Sequence, residues 1–151
     1  MAGLVIVAHA PLATALQAVA AHVFPDRVAG LVAVDVLPQW SAEQAETALR
    51  AAVEQAAGTA KEILILADVF GATPSNAAQR VADGTRWRLV CGVNVPMLWR
   101  ALCYAERPLD ELVERALSGA AQGVMPASVQ KPQDQPLHCV PNDPSHSHHQ
   151  Q

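Results

Sequence analysis

The sequence predicts an α/β protein with a doubly wound, open sheet of four parallel strands and helices on both faces. Three observations carry this expectation. Short apolar, β-branched runs recur at residues 4–8, 28–36, 63–67 and 87–91. Segments with apolar residues at helical spacing alternate with them, and alternation of this kind implies parallel strands joined by crossover helices. The helix starts fall directly behind the strand ends, where such proteins place their ligands.

Each element follows in chain order. Residues 4–8 (L-V-I-V-A) are short, apolar and β-rich, as a buried strand is. His9 ends the run, and Pro11 suits the first turn of a helix. Leu12, Leu16, Val19 and Val23 then share one helical face until Pro25 and Asp26. Residues 28–36 (V-A-G-L-V-A-V-D-V) form the second strand. Ser41 and Gln44 have capping-box spacing, and Ala45, Leu49, Ala52, Val53 and Ala56 continue as a helical stripe to Gly58. The third strand, I-L-I-L-A at 63–67, leads into D-V-F-G-A-T-P-S-N. There Thr73 can N-cap, and Pro74 can open, a helix running to about residue 83. Residues 87–91 give the fourth strand, and Asn94 with Pro96 starts a short helix. Leu109, Leu112, Val113, Ala116 and Leu117 define the last helix, ended by Gly119 or Gly123.

The domain is expected over residues 1–129. From residue 130 the chain turns to Pro, Gln, Ser and His without periodicity and reads as a disordered tail to residue 151. The tail's H-S-H-H (146–149), with His138 and Cys139, lacks a recognised zinc-ligand spacing and reads as solvated coil.

Composition narrows the function classes. The 151 residues are 51% hydrophobic and 16% charged, with a net charge of −4 and no basic stripe, which argues against nucleic acid as a partner. No apolar run approaches membrane-span length, and the N-terminus lacks the basic region of a signal peptide. Three cysteines without a C-x-x-C pair suit a reducing cytoplasm rather than a disulfide framework. No cofactor or metal is called for.

Three strand-end loops concentrate chemistry: A-H-A-P, D-V-F-G-A-T-P-S-N and G-V-N-V-P-M. An imidazole beside helix N-termini suits an anion, because the first helical N–H groups lack partners. An imidazole can also attack phosphorus and carry a phosphoryl group. If Asp68 accepts a hydrogen bond from one ring nitrogen of His9, the other presents its lone pair. Taken alone, His9 reads first as a solvated strand-end residue, and Asp68 reads also as a turn carboxylate. Thr73 and Asn76 serve as well as capping residues as they would as phosphate ligands. Asp35 at another strand end reads as structural, and Cys91 and Cys103 as small buried hydrophobes.

Across these loops the chain resembles the enzyme IIA domain of the mannose family of the bacterial phosphoenolpyruvate-dependent phosphotransferase system. The residues that carry the resemblance are L-V-I-V-A-H-A (4–10), A-D-V-F-G-A-T-P-S-N-A-A (67–78) and G-V-N-V-P-M-L (92–98), within a similarity spanning about 2–126. It implies a cytoplasmic phosphocarrier, with His9 taking a phosphoryl group from HPr and passing it to a separate IIB-type acceptor. Asp68 would orient His9, and Ala10, Gly71, Ala72, Thr73 and Asn76 would surround the phosphate. It also implies a homodimer with residues 124–129 exchanged as a fifth, antiparallel strand. The chain departs from the family pattern at Ala10, usually glycine, at Phe70-Gly71-Ala72, usually Trp-Gly-Gly, and at Met125-Pro126 in the presumed strand. Two other readings stay open: a phosphoryl donor subunit of dihydroxyacetone kinase, and a regulatory protein whose binding depends on His9 phosphorylation without sugar transport.

Overall fold

The computed structural model describes residues 1–58 and 60–128. Four strands, β1 (Gly3–His9), β2 (Leu31–Val36), β3 (Ile63–Ala67) and β4 (Trp87–Cys91), alternate with α1 (Leu12–Val23), α2 (Ala42–Ala57), α3 (Thr73–Val81), α4 (Val95–Cys103) and α5 (Leu109–Gln122). All strand pairs are parallel, in the order β2-β1-β3-β4. The doubly wound α/β expectation holds.

The two faces of the sheet follow from side-chain alternation along β1 and β3. Leu4, Ile6, Ala8, Leu64 and Leu66 pack with residues of α1, α4 and α5. Val5, Val7, Ile63, Ile65 and Ala67 pack with α2 and α3. Both central strands are buried on both faces, so their sequences run apolar without a polar alternate. Each fully buried leucine or isoleucine among them contributes about 1.5–3 kcal/mol relative to an exposed one. On the first face, α4 and α5 approach closely at Gly119, where a Cβ would stand 3.1 Å from the Pro96 carbonyl and closer still to the Arg100 side chain.

Local signals set most boundaries. Ser41 caps α2 in a full capping box with Gln44, as the spacing predicts. Asn94 caps α4 by accepting the Met97 N–H at 2.9 Å. The remaining differences have local causes. β2 starts at Leu31 rather than 28, because the Leu31 N–H closes a turn onto the Val28 carbonyl. The buried face of α1 is Ala13, Leu16 and Ala20, while Leu12 and Val19 are exposed; the two alanines let the helix settle close on the sheet. The N-cap of α3 is Ala72, with Thr73 already helical, and the helix stops at Val81. Asp83 then turns its carboxylate onto the N–H groups of Thr85 and Trp87. In α5, Gly119 takes the inward position expected of Leu117, which is exposed, and the helix ends at Gly123.

Residues 124–128 form no strand within this chain, and Val124 and Met125 are exposed. Residue 129, the His-rich tail and its Cys139 lie outside the described residues. Cys91 is a free, partly buried thiol.

Candidate functional site

The sheet order decides where a ligand can bind. From β1 the chain passes through α1 to β2 on one side, then returns through α2 to β3 on the other side. The loops leaving β1 and β3 therefore diverge to opposite faces, and the crevice between their carboxyl ends is the switch point of the sheet. His9 is the last residue of β1, and Asp68 is the first after β3.

These two residues, 59 positions apart, meet there. The His9 backbone N–H donates to Asp68 Oδ2 at 2.9 Å, and His9 Nδ1 lies 2.6 Å from the same oxygen. The other oxygen, Oδ1, accepts the Val69 N–H at 2.8 Å. A carboxylate has only acceptors, so in the neutral ring Nδ1 carries the proton and Nε2 keeps its lone pair. The imidazole is 55% exposed and the Asp68 side chain only 11%, so the ring faces outward while its partner is shielded.

Burial pushes the Asp68 carboxyl upward, but the His9 backbone N–H, the His9 ring and the Val69 N–H together outweigh it and hold the group below its usual value. Asp68 is thus kept as an anion under the ring. Its backbone is held too: its carbonyl accepts the Gly92 N–H at 2.8 Å, and the Val93 N–H bonds the Ala67 carbonyl. The G-V-N-V-P-M segment therefore braces Asp68, and Asn94 Nδ2 ties it onward to the Ala120 carbonyl of α5. Cys91, at the end of β4, has its thiol pushed up by burial and by the Asp68 charge, so it stays protonated beside the site.

The remaining candidates divide. Ala10 follows His9, but its N–H is used on the Val36 carbonyl at 3.0 Å and is not offered to a ligand. Gly71 sits in the left-handed region at φ +87, and its N–H is likewise taken, by Ser75 Oγ at 2.9 Å. Ala72 and Thr73 differ: among the described residues neither their N–H groups nor the Thr73 hydroxyl has a hydrogen-bond partner. An alanine at the N-cap cannot fold a side chain back onto the first helical N–H groups. Asn76 is exposed, with Nδ2 at 3.5 Å from the Gly71 carbonyl, and braces the loop.

Two features escaped the sequence reading. Ser75 is fully buried, and only its place at the third position of a helix beginning T-P-S hinted at a role. Asp35 is structural, as expected, but in a specific way: it accepts the Thr14 hydroxyl at 2.5 Å and the Thr14 N–H at 3.2 Å, capping α1 from β2. Among the described residues, no three His, Cys, Asp or Glu side chains converge as a metal site, and no helix is long and apolar enough to cross a membrane.

Residues 3–117 match the family model described as the PTS system fructose IIA component. The chain belongs to this family. It is a IIA component of the mannose type within the phosphotransferase system. The mannose-specific EIIAB component of Escherichia coli K12 is 36% identical over 96 residues, which is 60% of this chain and 29% of that protein. The Shigella flexneri component matches with the same figures, so the matched part spans under a third of these relatives. Among solved structures, the IIA fold recurs in EIIA from Streptococcus agalactiae (TM-score 0.74, 22% identity, 83% of this chain and 97% of that one). It recurs again in the mannose/sorbose specific IIA subunit from Enterococcus faecalis (TM-score 0.76, 20% identity, 86% and 97%).

Proposed function

We propose that this chain is a phosphohistidine carrier. His9 takes a phosphoryl group from phosphorylated HPr and hands it to a IIB-type acceptor. The observation that carries the reading is the 2.6 Å contact between His9 Nδ1 and Asp68 Oδ2 on a ring whose other nitrogen faces out of the switch-point crevice.

With its proton parked on Nδ1, the ring needs to lose no proton before attack. The Nε2 lone pair forms the new N–P bond as the donor's own N–P bond breaks, its electron pair returning to the donor imidazole. The His9 ring gains positive charge as this bond forms, and the Asp68 carboxylate offsets that charge at short range. Handing the group on runs the same steps in reverse. The free N–H groups of Ala72 and Thr73, with the Thr73 hydroxyl, suit the phosphoryl oxygens at the start of α3.

The rim suits a protein partner. Leu12, Leu37, Val69, Phe70 and Val95 are exposed, and each lies just behind the carboxyl end of a strand. Clustered exposed apolar residues mark interaction surfaces, and a second protein closing over Nε2 would also exclude water from the labile N–P bond. The reading places the chain in the cytoplasm as a homodimer, in which residues 124–129 add to the partner's sheet. Both β2 and β4 are edge strands of this sheet, and a paired edge is protected from indiscriminate association.

Incubation with phosphoenolpyruvate, enzyme I and HPr tests the carrier role. The wild-type chain should gain acid-labile phosphate, and His9→Ala should gain none while keeping its circular dichroism spectrum. Undiminished label on His9→Ala would remove His9 from the role.

A further inference from the structure

We propose that Ser75 is a positioning residue for phosphoryl transfer. Its buried hydroxyl sets the loop that aims the Ala72 and Thr73 N–H groups at the phosphoryl group on His9. The inference rests on His9 being the phosphoacceptor and goes beyond it, because Ser75 is fully buried and touches no reacting atom.

Ser75 Oγ accepts the Gly71 N–H at 2.9 Å and donates to the Ala72 carbonyl at 3.0 Å. One hydroxyl therefore uses both its proton and a lone pair on two successive loop residues, which fixes the Phe70–Gly71 peptide and the Ala72–Thr73 peptide that carries the Thr73 N–H. At the other end of the same short loop, Asp68 Oδ1 holds the Val69 N–H while Oδ2 holds His9. The stretch from Asp68 to Ser75 is thus pinned at both ends, with Gly71 at φ +87 making the turn between them. Serine is the third residue of α3, where its side chain reaches back past an alanine N-cap that forms no side-chain cap. Ser75 orders the loop from behind and leaves the N–H groups of Ala72 and Thr73 open.

The test compares the wild-type chain with Ser75→Ala and Ser75→Thr, using phosphorylated HPr and, separately, phosphoramidate as donors. With phosphoramidate the His9 Nε2–P bond forms as the P–N bond breaks and ammonia leaves, so no partner protein is required. Ser75→Ala should lower the rate of transfer roughly three- to tenfold with both donors, the range of one net hydrogen bond. The loss should fall on kcat rather than on KM for HPr. In the wild type, phosphorylation should shift the amide resonances of Ala72 and Thr73; in Ser75→Ala those shifts should shrink, and Ser75→Thr should restore them. Wild-type kcat and undiminished amide shifts in a folded Ser75→Ala chain would overturn the inference, even if its melting temperature fell. Labelling of the wild type by phosphoramidate but not by HPr would count against the carrier role alone, and the phosphoramidate series would then decide on Ser75. No label at His9 from either donor would overturn both.

Discussion

Replacing Asp68 with asparagine separates the orienting role of this residue from its place in the loop. The carboxylate takes three N–H groups, two from His9 on Oδ2 and one from Val69 on Oδ1. An asparagine of the same shape offers one oxygen and one NH2 group, so whichever way it turns, at least one of these donors faces another donor. The milder arrangement keeps the oxygen under His9 and sets the NH2 group against Val69. Even then the bond to Nδ1 loses its charge assistance at the moment the ring becomes cationic. A hydrogen bond to a charged group is worth about 1.5–3 kcal/mol. At about 1.4 kcal/mol per decade, transfer from phosphorylated HPr should slow on the order of ten- to a hundredfold. Rapid-quench kinetics measure this, beside urea denaturation curves. The pH dependence has a definite sign. The folded Asp68 carboxyl lies below its ordinary value of 3.8, so its stabilising contribution is present above that value and lost as pH falls through the depressed one. Asp68→Asn should remove that part of the acid limb. Wild-type transfer by a folded Asp68→Asn chain would reduce Asp68 to a turn residue and leave the orientation of His9 to another group.

Three further outcomes test the rest of the site. Phe70→Ala should raise KM for phosphorylated HPr about five- to thirtyfold, the effect of truncating an interface aromatic worth roughly 1–2 kcal/mol. Because Phe70 is 73% exposed, its melting temperature and its labelling by phosphoramidate should hold; an unchanged KM would rule out docking over this side chain. Gly71→Ala should destabilise the fold by about 1–2 kcal/mol, the cost of a side chain at positive φ, since no atom lies within 4 Å of the added Cβ. Equal urea midpoints for the two proteins would show that the turn does not require glycine. Asp83 is held at about 2, first by the Trp87 N–H and then by the Thr85 N–H. Its carboxyl carbon should titrate near that value by NMR, and Asp83→Asn should flatten the loss of stability as pH falls from about 3.8 to 2. A midpoint near 3.8 would mean that the turn after α3 is open in solution.

Much of this architecture is local and therefore legible in the chain. The unbroken apolar runs of β1 and β3 report strands buried on both faces, the Ser41 and Gln44 pair fixes the start of α2, and His9 stands at a strand end because β1 stops there. Each of these rests on residues a few positions apart, whose spacing alone says which surface a segment must bury. Other features depend on which segments become neighbours. Apolar residues on more than one side of α1 leave its buried face open until Ala13 and Ala20 meet the sheet. The N–H groups of Ala10 and Gly71 look available in the sequence and are used in the fold, by Val36 and Ser75. The sheet order places β1 beside β3, and this alone brings Asp68 onto His9. Periodicity records how much each strand buries but not against which strand it pairs, so a contact across 59 residues is settled only when the sheet assembles.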